Sequence, residues 1–303
     1  MTNREHNKGV LLMIGATLCW ATAGVLVRNM DLKDGWEITF WRSLFMTLFV
    51  TAVLLARYGA ATVERIRAVG KTGTAVSALW ALMYVCFILA LGRTTVANVL
   101  VLSSISPFTA ALLGGLVLHE RVPGRIWLAM TAAVGGIALM FVESINSGGL
   151  AGNLIALAIP LAFACNVVLL RRAGTHVDMI PTLMISGLLS MAVMLPLALP
   201  LEASARDLLL LVIMGVLQLA IGCLLFLAAA PRLAAAEIGL LAVLEIVFGT
   251  LSTWLAVGEH PGSLALTGGL IVIAALVINE LVALRSRRLT ETEAEAAGAQ
   301  AGH

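Results

Sequence analysis

The chain has 303 residues, of which 60% are hydrophobic and only 12% charged, with a mean hydropathy of +1.02 and a formal net charge of +2. A soluble domain of this length needs roughly twice that share of charge to cover its surface. The composition therefore excludes a soluble globular protein, and the small net charge gives nucleic acid nothing to bind.

A membrane-spanning helix needs about 20 mostly apolar residues. On that measure the chain reads as ten spans, at 9–28, 35–56, 72–92, 94–118, 124–142, 150–170, 178–200, 207–230, 233–257 and 262–284. Arg4, Lys8 and Ala21-Thr22-Ala23 around the first also fit a cleavable leader. However, the apolar run continues to Val27, and Trp20 stands where a small residue is wanted, so the span is read as retained. Trp20 is a candidate aromatic wall. The second span carries Arg42, which could hold a substrate carboxylate, snorkel outward or pair with Glu37. Between the second and third spans, AVGKTG (68–73) evokes a phosphate loop, but the motif's first glycine would stand at 65, where the chain has Arg65. Tyr84 in the third span is a second aromatic candidate.

Ser103 and Ser106 share a face of the fourth span, Asn166 lies well inside the sixth, and Gln218 is central in the eighth. Polar side chains of this kind glue helices together as often as they bind substrate. Glu245 sits near the midplane of the ninth span, where an acid costs roughly 2.5–3.5 kcal/mol on insertion scales. It reads as a cavity ligand, as a proton acceptor, or as a brace within the bundle. Glu237, eight residues earlier, reads as an interfacial or gate charge. Gly114-Gly115, Gly135-Gly136 and Gly268-Gly269 suit close helix packing. Cys19, Cys86, Cys165 and Cys223 lie in apolar segments without metal-like spacing and read as small buried hydrophobes.

Orientation follows from the basic residues of the loops. With the N-terminus inside, fourteen Lys and Arg fall on the cytoplasmic side and four on the other, with Arg42 the nineteenth. Both termini are expected in the cytoplasm: residues 1–8 as a short lead, and 285–303 as a polar, disordered tail.

Laying Arg93–Glu120 over Arg232–Glu259 matches Arg93 with Arg232, Ala97 with Ala236 and Glu120 with Glu259. LCWATAGVLVR (18–28) likewise lies over LAFACNVVLLR (161–171), in the same order in each half. Five helices is an odd number, so two five-helix halves, 9–142 and 150–284, must face opposite ways. Inverted repeats of this kind recur in secondary transporters, with the substrate site near the midplane.

The segment LSSISPFTAALLGGLVLHE (102–120) resembles the fourth-helix signature of the drug/metabolite transporter superfamily, in its EamA-type branch. Leu244-Glu245-Ile246 followed by Gly258-Glu259 resembles the second-half signature, with Ile246 where that pattern has proline. The ninth helix is therefore expected to be straighter there than that pattern implies, whereas the first half keeps Pro107. Trp20, Arg42 and the 90–97 link fit the same pattern. The resemblance implies an all-α membrane protein of ten helices in two inverted repeats, moving small metabolites by alternating access. It also implies a plasma or inner membrane location.

The site is expected between the halves, lined by spans one, two, three, four, six, eight and nine. One deep acid and one deep base suit an amino acid or related compound, with export the direction implied and protons a candidate coupling ion. No cofactor, metal or nucleic acid is implied. H-E-x-x-H, G-x-S-x-G, paired-Asp and selectivity-filter patterns are missing from the sequence, so it does not read as an enzyme or a channel. Two alternatives stay open: a proton-coupled exporter of cationic compounds, and a membrane sensor or assembly protein that does not transport.

Overall fold

Backbone amides in hydrocarbon find no water, so a chain this apolar must satisfy its N–H groups within its own helices. The computed structural model describes residues 3–119, 122–173, 178–233 and 235–301, and among these the regular elements are all helical. Ten stretches are long and apolar enough to cross a bilayer: Arg4–Asn29, Gly35–Ala68, Gly70–Leu91, Val96–Leu118, Gly124–Ile145, Leu150–Leu170, Met179–Ala198, Ala205–Arg232, Glu237–Val257 and Ser263–Arg285. These are the ten spans read from the sequence, including the division between the third and fourth.

Several spans are not single rods. The first is α1 (Asn3–Ala21) and α2 (Ala23–Asn29), broken at Thr22. The second is α3 (Gly35–Tyr58), after which Gly59, at φ +54°, turns the chain into a short surface helix, α4 (Thr62–Ala68). Gly70, at φ +63°, then starts α5 (Gly70–Leu91). Both glycines hold left-handed conformations that a side chain would oppose.

The fourth span is α6 (Val96–Ser104) and α7 (Ser106–Leu118), parted at Ile105. The cause is local. Pro107 has no N–H, so the carbonyl four residues back, that of Ser103, loses its helical donor. The Ser106 hydroxyl donates to it instead at 2.6 Å. Next come α8 (Gly124–Ser147), α9 (Leu150–Ala173) and α10 (Met179–Ala198). The eighth span is α11 (Ala205–Ile213), a π-helical stretch over Met214–Ile221, and α12 (Gly222–Ala229).

The ninth span, α13 (Ala235–Val257), is continuous through Leu244-Glu245-Ile246, as the loss of the proline leads one to expect. The tenth, α14 (Ser263–Ala301), departs from expectation. Its helix runs on through residues 286–301, where the sequence reading has a disordered tail; alanine and glutamate, frequent in that stretch, are strong helix formers.

The largest pairings recur when each span n is exchanged for span n+5. The second pairs with the seventh (α3 with α10) and the fifth with the tenth (α8 with α14), so both map onto themselves. The third and sixth (α5, α9) map onto the eighth and first (α12, α1), and the fourth and sixth (α7, α9) onto the ninth and first (α13, α1). Two groups result, spans one, eight and nine and spans three, four and six, facing each other across a seam.

The fifth and tenth spans close one side of that seam by backbone approach. A Cβ at Gly136 would lie 2.5 Å from the Gly268 carbonyl oxygen, and one at Gly268 would strike the Gly136 carbonyl. Gly135 faces open space. Gly136→Val is therefore expected to cost about 1–3 kcal/mol, and Gly135→Val next to nothing, in thermal unfolding of the detergent-solubilised protein.

Candidate functional site

The seam is shut over half of its depth. A Cβ at Gly249 of α13 would come 2.5 Å from Leu100 Cδ1 and 3.7 Å from the Ala21 Cα. One at Gly24 of α2 would come 2.6 Å from Thr253 Oγ1 and 2.7 Å from Val96. The first, fourth and ninth spans thus touch from the level of Gly249 to the face opposite the N-terminus. Toward the N-terminal face they part, because the break at Ile105 lets α7 turn onto α9 while α13 keeps to α1. Among its own residues α7 buries only Phe108 and Gly114.

Polar ties lock the shut side. Arg28 donates from Nε to Glu259 Oε2 at 2.5 Å, from Nη1 to the Leu91 carbonyl at 2.6 Å and from Nη2 to the Thr94 carbonyl at 2.8 Å. Glu259 Oε1 accepts the Val96 N–H at 2.6 Å, satisfying the first turn of α6. This clamp joins the ends of the first and ninth spans to the third and fourth, so it crosses the seam. By contrast, the N-terminal-face pairs of the ninth-span group, Glu5 with Arg232 (2.9 Å) and His6 with Glu237 (3.7 Å), stay on their own side of it. Glu120, the sequence counterpart of Glu259, lies outside the described residues.

Where the shut zone ends, the predicted polar residues gather. Arg42 is 1% exposed; Nη2 donates to the Tyr84 carbonyl at 3.1 Å and the guanidinium carbon stands 5.7 Å from the Tyr84 ring centroid. It neither snorkels nor pairs with Glu37. That carboxylate accepts from Trp41 Nε1 at 3.0 Å and from the N–H groups of Glu202 and Ala203 at 2.9 Å each. Arg42 thus has no carboxylate partner among the described residues.

Cys223 and Ser186 lie beside Tyr84, Trp20 lies beside Cys223, and Glu245 is within electrostatic range of Cys223. Gly222 makes room for the Trp20 indole, whose Nε1 a Cβ there would meet at 2.5 Å. Gly215, in the π-helical stretch, seats the eighth span on the second: its Cβ would lie 2.6 Å from the Arg42 carbonyl oxygen. Gln218 follows one turn later and is 3% exposed.

Glu245 stands one turn before Gly249, between the buried stripe Val243, Ile246, Gly249 and the exposed stripe Val247, Phe248, Leu251. Its carboxylate has no hydrogen bond or ion pair with any described residue. Buried atoms of the other candidates are equally unpaired: Arg42 Nε, Tyr84 Oη, Asn166 Oδ1 and Gln218 Oε1. Ser103 and Ser106 differ, since their hydroxyls donate to the carbonyls of Val99 and Ser103 at 2.7 and 2.6 Å. Both hydroxyl protons are thus engaged in the helix backbone around its break.

The phosphate-loop look-alike is a surface feature. Gly70 and Lys71 line a shallow cleft with Ile66, Arg67 and Thr74, sharing no residue with the seam. Cys165, read as buried, is exposed on α9, while Cys86 and Cys223 are buried and Cys19 is half-buried.

The profile of the EamA-like transporter family matches residues 7–142 and 150–280, one match to each half. The chain belongs to the EamA-like transporter family. That membership makes it a multi-pass membrane protein of a transporter family rather than an enzyme. The pseudopaline exporter CntI, from two strains of Pseudomonas aeruginosa, is 25% identical to it over 285 residues, 89% of this chain and 94% of the relative. A solved crystal structure overlies 93% of the chain and 99% of its own length, with a TM-score of 0.66 at 17% identity, and so shares the fold.

Three features escaped the sequence reading. Trp80 is a turn from Tyr84 on α5, with ring centroids 6.0 Å apart and an unpaired, buried Nε1. The spacing W-x-x-x-Y was the available signal. Glu280, 7% exposed on α14, accepts from Asn279 Nδ2 at 3.2 Å and lies 3.2 Å from where a Gly239 Cβ would be; nearness to Arg285 hid it as an interfacial charge. Thr94, Asn98, Ser144 and Asn153 form a buried hydrogen-bonded cluster across spans four, five and six, with Asn153 Nδ2 donating to Ser144 Oγ at 2.6 Å. Each of its members looked ordinary alone.

The Arg28 and Glu259 side chains are 26% and 19% exposed, so solvent screens them only in part. A double-mutant cycle with Arg28→Gln and Glu259→Gln is expected to give a coupling of about 1–2 kcal/mol in thermal unfolding.

Proposed function

We propose that this protein exports amino acids or related compounds across the inner membrane by alternating access between two inverted halves. The observation that carries the reading is a pair of opposite charges, Arg42 and Glu245, on different walls of one seam, neither neutralised by a described protein group. An unpaired charge is costly in a low-dielectric site. A zwitterion offsets both costs at once, its carboxylate meeting Arg42 and its ammonium meeting Glu245. A purely cationic cargo would leave the guanidinium unmatched, which places the cationic-compound exporter second.

With the N-terminus cytoplasmic, as the basic loops favour, the open side of the seam faces the cytoplasm. The protein is then poised to load from inside, with the Arg28–Glu259 clamp holding the outer side shut. The relatives bear the name of an exporter, which supports the same direction. Glu245 completes the cycle by exchanging the cargo's ammonium for a proton: a protonated carboxyl needs no cationic partner, so the empty carrier can return.

Purified protein in liposomes is expected to move radiolabelled amino acids under an imposed pH gradient, and Glu245→Gln to abolish proton-coupled flux while inserting normally. Unchanged pH-dependent flux in that variant would reduce Glu245 to a brace. If no amino acid, other metabolite or cationic dye moves in the wild type, a non-transporting role replaces this reading.

A further inference from the structure

The unpaired buried atoms on the second and third spans are of one kind. Arg42 Nε, Trp80 Nε1 and Tyr84 Oη can each donate a hydrogen bond, and none makes one of good geometry with a described residue, although Ser186 and Cys223 stand beside the Tyr84 hydroxyl. Arginine and indole nitrogens can do nothing else, since neither side chain has an acceptor. The three belong together in space. The Trp80 and Tyr84 rings are 6.0 Å apart between centroids, and the Arg42 guanidinium lies 5.7 Å from the Tyr84 ring. Arg42 and Tyr84 are 1% and 5% exposed, so both are held within the protein. Across the seam the unpaired groups of the described residues include acceptors, the Glu245 carboxylate and Gln218 Oε1.

We infer that Trp80, Tyr84 and Arg42 form the carboxylate subsite of the carrier, and that Trp80 is a specificity-determining residue. This rests on the amino-acid reading above and assigns the orientation of the cargo: carboxylate against α3 and α5, ammonium toward α13. A carboxylate has about four acceptor positions, enough for all three donors. A carboxamide brings an NH2 group against the guanidinium and loses both charge and acceptors; a decarboxylated amine offers the donors nothing. A site built to hydrogen-bond a group rejects analogues that lack it, because its own buried donors are left bare. Trp80 also lies a turn closer to the N-terminal face than Tyr84, so a carboxylate entering from the open side meets it first.

The test uses full-length protein in proteoliposomes, with counterflow of radiolabelled L-threonine and L-phenylalanine. Each is competed by its free acid, its carboxamide and its decarboxylated amine. The wild type is expected to prefer the acid by about a hundredfold or more, the loss of two charge-assisted hydrogen bonds. Trp80→Phe and Tyr84→Phe keep ring volume and remove one donor each. Either is expected to raise KM for the acid about tenfold, with the maximal rate and the affinity for the amine unchanged and a smaller loss for the carboxamide, whose carbonyl oxygen is a neutral acceptor. Discrimination equal to wild type in both variants, or a wild type that takes acid and carboxamide alike, overturns the subsite while leaving transport standing. Transport of the amines without the acids, or of none of these compounds, overturns the amino-acid reading and the subsite with it. Should Trp80→Phe fail to elute as a single species, Tyr84→Phe decides alone.

Discussion

Lipid is as apolar as leucine, so burying an apolar side chain between two helices in a bilayer gains little over leaving it in the membrane. Helices hold where their backbones approach. This chain has such approaches at Gly136 and Gly268, at Gly215 against Arg42, at Gly187 against Ser43, and at Gly24 and Gly249 on the seam. The last two decide the shape of the molecule. Where glycines let the first, fourth and ninth spans touch, the seam is sealed; past Gly249 the spans part and the polar residues begin.

The polar groups divide by the same boundary. On the sealed side most are satisfied, in the Arg28–Glu259 clamp and at Glu37, which accepts three hydrogen bonds; in the Thr94–Asn98–Ser144–Asn153 cluster Asn98 Oδ1 alone stays unpaired. Beside the gap they are not, and Arg42, Trp80, Tyr84 and Gln218 keep buried atoms unpaired. Satisfied polar groups in membrane helices hold helices together, whereas unsatisfied ones cost stability and persist where a ligand supplies the partner.

How much of this was legible depends on the length scale of each signal. Ten spans were readable because twenty apolar residues in a row admit one explanation, and the repeat because Arg93, Ala97 and Glu120 recur together as Arg232, Ala236 and Glu259. Arg42 and Glu245 were readable because a charge in hydrocarbon needs a reason. Trp80 was not, because a tryptophan in a span is unremarkable until its N–H is seen to lack a partner. Ser103 and Ser106 were readable as a shared polar face, but not the bond in which the Ser106 hydroxyl occupies the carbonyl that Pro107 frees. The Arg28–Glu259 clamp joins residues 231 positions apart, and no local pattern announces it.

The fourth and ninth spans occupy equivalent places, yet one is jointed at Ile105 and the other runs unbroken past Glu245. A joint bends at small cost and a continuous hydrogen-bonded rod does not, so compliance is concentrated in one half. In the proposed cycle the two end states then cannot be mirror images. Each stroke would lean on a different lever, one that flexes and one that tilts as a unit, so the inward and outward turns would carry different elastic costs.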